Sequence, residues 1–183
     1  MTKLTKLLLV ILSILPLFGF SYINPDDLRT SSLVIYYNPT GSPEGITEAQ
    51  IVEGIRTWNT AGAGIRVIYG GLTDLPASKH YGYDDGVSVI GWGGSSLGSA
   101  NYTGAECDIV LGATPYDWTY YYAGRIVAHE VGHCLGLGHS DVPGSLMWAS
   151  VGTEHSVALG SDDIAGLVKA YPPYQYIVKV GLP

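Results

Sequence analysis

The sequence predicts an α+β domain with a twisted sheet, because β-rich runs and three helical patterns follow one another along its 183 residues. The first run, Leu33 to Tyr37, is rich in β-branched and aromatic residues and ends at Asn38-Pro39, where a turn is expected. The stretch from Gly91 to Thr103 is rich in Gly and Ser and is expected to form an exposed rim. Three further strands are expected at Ile65 to Tyr69, Val87 to Ile90 and Cys107 to Leu111.

The first helix has a clear start signal. Thr47 and Gln50 have the spacing of a capping box, in which each side chain bonds to the backbone of the other residue. Ile51, Ile55 and Trp58 then recur at helical spacing. The pattern therefore predicts a helix that buries one apolar stripe.

Two more helices are expected further along the chain. Val127, Val131 and Leu135 mark the apolar stripe of the second. The third begins at Ser161, where the paired acids Asp162 and Asp163 favour the positive end of a helix. It should end before Pro172-Pro173.

Charge argues against one class of partner. The formal net charge is −7, with nine Lys and Arg residues in all. Binding to phosphates requires a concentrated basic face. We therefore expect no nucleic-acid partner.

The first residues have the pattern of a secretory signal. Lys3 and Lys6 precede an apolar run, Leu7 to Phe20, followed by small residues near Ser21. The run is shorter than the roughly 20 apolar residues of a spanning helix, although an uncleaved membrane anchor is the alternative. We expect residues 1–21 to be a signal peptide, 22–32 a short N-terminal segment and 174–183 a tail. The mature protein would then be extracellular, without stable membrane association.

The strongest chemical feature is a run from His129 to His139, with the sequence His-Glu-Val-Gly-His-Cys-Leu-Gly-Leu-Gly-His. Positions i and i+4 share one face of a helix, so His129 and His133 can present imidazoles to one metal ion. His139 can return to the same ion only after a sharp turn, and Gly136 tolerates the positive φ that such a turn requires. The pattern predicts three zinc ligands and an open fourth position.

Glu130 lies next to the first of these ligands, where its carboxylate can reach a water held by the ion. An open position and an adjacent base are typical of a catalytic zinc site. Chance placement of histidines on a helix is the alternative. The additional matches at Gly136 and His139 make that alternative weak.

The stretch His129 to Ser140 resembles the long zinc-binding consensus of the metzincins, and Ser140 after the third His is similar to the matrixin branch. Met147 lies eight residues beyond His139, where matrixins have a Met-containing turn beneath the metal. It is therefore the candidate Met-turn residue, and an ordinary core methionine is the alternative. Similarity to the matrixin pattern extends over roughly residues 33–173, the expected metzincin catalytic domain.

The resemblance implies a metzincin-like, mostly parallel sheet with an antiparallel edge strand, an active-site helix and a C-terminal helix. It also implies a secreted zinc endopeptidase whose peptide substrate binds in extended form along an edge strand near Gly91 to Thr103. The residue after the cleaved bond would enter an apolar pocket lined by Leu146 to His155. Matrixins usually have a Pro soon after the Met, but Trp148 follows here, which puts the shape of that pocket in question.

The resemblance also bears on other metals. Many relatives hold a second zinc through a His-x-Asp pair and two further histidines, but His80 is followed by Tyr81 and Gly82, and only His155 remains. We therefore expect one zinc per chain. Calcium is common in the family, and its candidate ligands are Asp84, Asp85 and Asp117. Their spacing matches no calcium loop, so solvated turn residues are the alternative.

Two other functions are compatible with the motif: a non-catalytic secreted module that binds zinc, and a zinc amidase acting on cell-wall peptides. Retention of Glu130 argues against the first, because a structural site needs no base. We expect a monomer whose partner is a protein or peptide substrate. Cys107 and Cys134 are the two cysteines of a chain that we expect to be exported, so a disulfide between them is expected. Two free, buried thiols are the alternative.

Overall fold

The computed structural model describes residues 32–77, 87–103, 106–113, 116–150 and 154–173. The predicted signal peptide, most of the N-terminal segment and the tail lie outside these residues, as do His80, Asp84 and Asp85. Within them, no helix is long and apolar enough to cross a membrane. The strands are β1 (Ser32–Tyr37), β2 (Arg66–Leu72), β3 (Ser88–Gly94), β4 (Gly98–Thr103) and β5 (Glu106–Gly112). The helices are α1 (Glu48–Arg56), α2 (Ala123–Cys134) and α3 (Ser161–Ala170), with a 3₁₀ helix at Thr57–Ala61.

The five strands form one sheet in the order β2-β1-β3-β5-β4. All neighbouring strands are parallel except β4, which runs antiparallel to β5 at one edge. The structure confirms the predicted α+β class and the mostly parallel sheet with an antiparallel edge strand. Helices α1 and α2 pack against each other, and α2 also contacts β4 and β5. The edge strand therefore lies beside the helix that carries the histidine motif.

The start of α1 is as predicted. The Thr47 side chain accepts a hydrogen bond from the backbone N–H of Gln50, and the Gln50 side chain accepts one from the backbone N–H of Thr47. Ile51, Ile55 and Trp58 are almost fully buried. Local signals were sufficient here because both the cap and the stripe depend on residues close in sequence.

The stretch from Gly91 to Thr103, expected as a Gly- and Ser-rich rim, is largely regular strand, in agreement with the edge strand that the family resemblance implied there. Strand β3 continues to Gly94, and Gly98–Thr103 forms β4, which pairs with β5 from Gly98 opposite Leu111 to Thr103 opposite Glu106. Gly- and Ser-rich residues have weak intrinsic preference for strands. Pairing with the completely buried strand β5 outweighs that local preference.

The sheet and α2 are also joined through their cysteines. Cys107 on β5 and Cys134 at the end of α2 form a disulfide across a Cα–Cα distance of 5.5 Å. Both residues are fully buried in the main hydrophobic core. The bridge therefore connects the last turn of α2 to β5, the strand next to the edge strand β4.

Candidate zinc site

Helix α2 places two histidines of the motif on one face. His129 and His133 are one helical turn apart, and their ring centroids are 4.8 Å from each other. His129 is buried and His133 is half-buried. The helix is held from below, where the indole N–H of Trp58 donates to the backbone carbonyl of Ala128 over 2.8 Å.

A glycine turn brings the third histidine back to this face. Gly136 has a φ of 82°, in the left-handed region. Its N–H donates to the carbonyl of His133 over 2.8 Å, and the N–H of Leu137 donates to that of Gly132 over 3.0 Å. These two bonds are those of a Schellman motif, which satisfies the last carbonyls of the helix. The chain then reverses and presents His139, as the sequence predicted.

The three imidazoles have the chemistry that zinc requires. One nitrogen from each of His129, His133 and His139 lies within 4.8 Å of the others. The Nδ1 atoms of His129 and His133 bond to the carbonyls of Leu146 and Leu137, at 2.8 and 2.7 Å. Because Nδ1 then carries the proton, each Nε2 keeps a lone pair for a metal. Ligands about 2.0–2.1 Å from one ion are closer together, so the rings would draw in by side-chain rotation.

Burial favours the metal-binding form of these histidines. Desolvation lowers the pKa of His129 to about 4, against the opposing effect of its hydrogen bond to the Leu146 carbonyl. Desolvation also lowers the pKa of His133. Both imidazoles are therefore neutral near pH 7, and neutral imidazole is the form that coordinates metals.

The carboxyl group of Glu130 is buried at the same face, with 6% of the residue exposed. Burial raises its pKa to about 7, and a hydrogen bond with the backbone of Ala100 on β4 partly opposes that shift. A carboxyl group with a pKa near the working pH is suited to accept and return a proton. Glu130 can therefore exchange a proton near neutral pH.

A cavity of about 420 Å³ opens over these residues. It is lined by Gly98, Ser99 and Ala100 of β4 on one side, and by Glu130 and the three histidines on the other. Its volume is within the usual range for ligand sites in proteins. Among the described residues, no strand pairs with the outer edge of β4, so the cavity lies beside an edge where an extended peptide can pair.

Met147 lies beneath the metal-binding helix and is fully buried. A Cβ atom built on Gly132 would overlap the Sδ atom of Met147 and would lie 2.6 Å from Cζ2 of Trp58. Gly132 is therefore required for the close approach of the turn to α2. Asp163 fixes the turn itself, because its carboxylate accepts backbone hydrogen bonds from Leu146, over 2.7 Å, and from Met147, over 2.9 Å.

The chain after Met147 faces α2 across a much smaller cavity, of about 10 Å³, with Trp148 and Ile126 among its lining residues. That volume is about enough for one water molecule. Arg125 also lines it and is itself buried. Its guanidinium donates to the carbonyls of Ser145, over 3.3 Å, and Ser156, over 2.9 Å.

The other predicted ligands do not join this cluster. The carboxylate of Asp117 is exposed and accepts hydrogen bonds from the N–H and hydroxyl of Thr119, which lower its pKa. His155 stacks on Tyr122, with ring centroids 5.5 Å apart. Among the described residues, the three motif histidines are the one group found that could hold a metal. The candidate calcium ligands Asp84 and Asp85 lie outside the residues that the structure describes, as does His80.

Three residues near the site have long-range contacts that the sequence pattern did not predict: Asp163, Arg125 and Thr57. Asp163 was predicted to be only a helix-terminal charge, yet it is fully buried and contacts the Met147 turn. Thr57 donates to the carbonyl of Val157, one hundred residues away in sequence. The one available sequence signal concerned Arg125. It lies four residues before His129, and residues i and i+4 are neighbours on one face of a helix.

Comparison with known proteins agrees with this architecture. The profile of the matrixin family matches residues 76–172, more than half of the chain. The chain therefore belongs to the matrixin family, whose members are zinc metalloendopeptidases. The resemblance inferred from the histidine motif is confirmed.

Individual relatives match over shorter segments. Matrilysin of Rattus norvegicus is 50% identical over 48 residues, 25% of this chain and 18% of the relative. Interstitial collagenase of Oryctolagus cuniculus is 42% identical over 59 residues, 32% of this chain and 13% of the relative. Metalloendoproteinase 5-MMP of Arabidopsis thaliana is 43% identical over 47 residues, 25% of this chain and 13% of the relative. The matched segments thus span less than a fifth of each of these relatives.

Proposed function

We propose that the chain is a secreted endopeptidase that hydrolyses peptide bonds with one zinc ion held by His129, His133 and His139. The observation that supports it best is the position of the Glu130 carboxyl group. It is buried beside the three imidazoles and also lines the cavity that runs along edge strand β4. A site that only bound zinc for structure would need neither the acid nor the cavity.

A bound zinc ion supplies Lewis acidity, polarising the peptide carbonyl and acidifying water. Glu130 accepts a proton from the attacking water and then delivers it to the leaving amine. The buried surroundings of Glu130 suit both steps, because they hold the pKa of its carboxyl group at about 7. The carbonyls of Leu146 and Leu137 keep the rings of His129 and His133 in one orientation.

The substrate binds in extended form along the free edge of β4. Strand β4 is antiparallel to β5, and its outer edge offers backbone N–H and C=O groups to an added strand. Backbone pairing places the peptide without selecting its sequence. Selectivity then comes from the small cavity between α2 and the chain after Met147, which has room only for a short side chain on the residue that follows the cleaved bond.

Secretion is part of the same proposal. The basic start, the apolar run and the small residues near Ser21 favour export and cleavage there. N-terminal sequencing of protein recovered from the culture medium tests this. A mature chain that begins close to Tyr22 is expected, whereas a membrane-bound chain that keeps Lys3 would contradict it.

One digestion experiment separates the proposed function from its two alternatives. Purified protein is incubated with casein or gelatin, with and without a chelator, and in parallel with cell-wall peptides. We expect casein and gelatin to be cleaved, the chelator to stop cleavage and added zinc to restore it. Release of wall peptides alone would indicate the amidase, and the absence of any hydrolysis would indicate the binding module.

A further inference from the structure

A segment without regular secondary structure, residues 154–157, returns the chain from the Met147 turn towards α3. We call it the return segment. The side chains of Glu154, His155 and Ser156 are exposed, and Val157 at the end of the segment is the one residue of the four that packs partly against the hydrophobic core. The position of residues 154–156 therefore depends on a few specific contacts and on how Val157 is held.

Each residue of the return segment has one such contact. Glu154 forms an ion pair with Arg125 over 3.5 Å, and the carbonyl of Ser156 accepts a hydrogen bond from the same guanidinium. His155 stacks on Tyr122 at the start of α2. The carbonyl of Val157 accepts a hydrogen bond from the hydroxyl of Thr57 over 2.7 Å. Two of the contacts come from Arg125 on α2, one comes from Tyr122 at the N-cap of that helix, and the last comes from Thr57.

Thr57 is well placed to fix the segment. It is 9% exposed and caps the C-terminal end of α1, where its backbone N–H bonds to the carbonyl of Glu53. The next residue, Trp58, bonds to the carbonyl of Ala128 on α2. The end of α1 therefore holds the metal-binding helix and the return segment at a set separation.

Arg125 links the return segment to the small cavity beside α2. Its guanidinium bonds to the carbonyl of Ser145, before the Met147 turn, and to the carbonyl of Ser156, in the return segment. Arg125 also lines the cavity of about 10 Å³ between α2 and the chain after Met147. If Val157 moves away, Ser156 moves with it and the Arg125 contact is lost. The cavity can then open.

We propose that Thr57 is a positioning residue that sets the size of the pocket for the residue following the cleaved bond. It does so through its hydrogen bond to Val157 and touches no substrate. The inference deepens the proposed function and rests on it. A short side chain at that substrate position is accepted, and a long one is excluded while the return segment is held.

The test compares three substitutions in the zinc-loaded protein. Thr57→Val keeps the shape of the side chain and removes the hydroxyl group, whereas Thr57→Ser keeps the hydroxyl. Thr60→Val is the matched control, because the Thr60 hydroxyl bonds only to the nearby carbonyl of Thr57 and its side chain is exposed. Two peptides are used that differ only after the cleaved bond, with alanine in one and leucine in the other.

The ratio of kcat/KM for the leucine peptide to that for the alanine peptide is the first measurement. Thr57→Val is expected to raise it about tenfold, the discrimination typical of small changes in an apolar pocket. The value of kcat for the alanine peptide should stay within about twofold, because that side chain needs no larger pocket. Thr57→Ser and Thr60→Val should keep the wild-type ratio.

Hydrogen exchange of the amides in residues 154–160 is the second measurement, and it does not depend on activity. Exchange should be faster in Thr57→Val alone. An unchanged ratio in Thr57→Val, with both peptides still cleaved, would overturn the inference and leave the proposed function standing. A wild-type protein that cleaves neither peptide would overturn both.

Discussion

Asp163, in the first turn of α3, accepts a hydrogen bond of 2.9 Å from the backbone N–H of Met147. The same carboxylate accepts bonds from the N–H groups of Leu146 and Gly160, over 2.7 and 2.8 Å. One buried side chain therefore joins the C-terminal helix to the turn beneath the histidines. Because the carbonyl of Leu146 also bonds to the ring of His129, Asp163 supports a proposed zinc ligand through the backbone.

Replacing Asp163 by alanine should destabilise the protein strongly. Two buried N–H groups and the half-buried N–H of Gly160 would lose their acceptor, and each buried loss costs about 1–3 kcal/mol. We expect the free energy of unfolding to fall by at least about 2 kcal/mol, measured by denaturation with urea. Asp117→Ala is the matched control, since that carboxylate is exposed, and its effect should be within about 0.5 kcal/mol. Equal effects of the two substitutions would refute the role of Asp163.

The contact between α2 and the Met147 turn can be tested at Gly132. Alanine is the better helix former by about 1 kcal/mol, so propensity alone favours Gly132→Ala. The added Cβ would, however, collide with Met147 and Trp58, and overpacking of this kind typically costs about 1–3 kcal/mol. We expect a lower melting temperature and weaker zinc binding. A more stable variant would show that the turn is not packed this closely.

The bridge between Cys107 and Cys134 should contribute to stability. It closes a loop with a sequence separation of 27 residues, for which the chain-entropy model gives roughly 3.5 kcal/mol. Titration of the denatured, unreduced protein should find no reactive thiol. The double substitution Cys107→Ala and Cys134→Ala should lower the free energy of unfolding by a similar amount. Two reactive thiols per chain would mean that the bridge does not form in the secreted protein.

Tyr122 and Glu53 provide a test of the junction between α1 and α2. The hydrogen bond to the Glu53 carboxylate, with burial as the second cause, raises the pKa of Tyr122 to about 12. Because the folded-state pKa is raised, the stabilising contact is complete below about pH 10 and is lost as the pH rises towards 12. Glu53→Gln should lower the pKa of Tyr122 towards 10, as measured by NMR with ¹³C-labelled tyrosine. An unchanged titration would contradict the contact.

Sequence alone was sufficient where the structure depends on neighbours in the chain. The capping box at Thr47, the turn at Gly136 and the shared face of His129 and His133 each involve residues at most a few positions apart. Short-range geometry of this kind follows from helix periodicity and capping. The family resemblance extended the prediction to a mostly parallel sheet with an antiparallel edge strand.

Long-range contacts explain what the sequence did not show. Strand β4 contains Gly98 and Ser99 and acquires its structure from pairing with β5. The contact between Thr57 and Val157 joins residues one hundred positions apart. Neither the β4–β5 pairing nor the Thr57–Val157 hydrogen bond can be predicted from local composition, because Gly, Ser and Thr are also common in exposed loops.

The central claim is that Glu130 is the base of a zinc peptidase. Glu130→Gln keeps the size of the side chain and removes the carboxylate, and Glu44→Gln, on the exposed surface, is the matched control. The measurement is the turnover of a peptide together with the zinc content of the same samples. We predict about one zinc per chain in all three proteins and a loss of kcat of at least about 10²–10⁴-fold in Glu130→Gln alone. Near wild-type turnover by a zinc-loaded Glu130→Gln protein would contradict the mechanism.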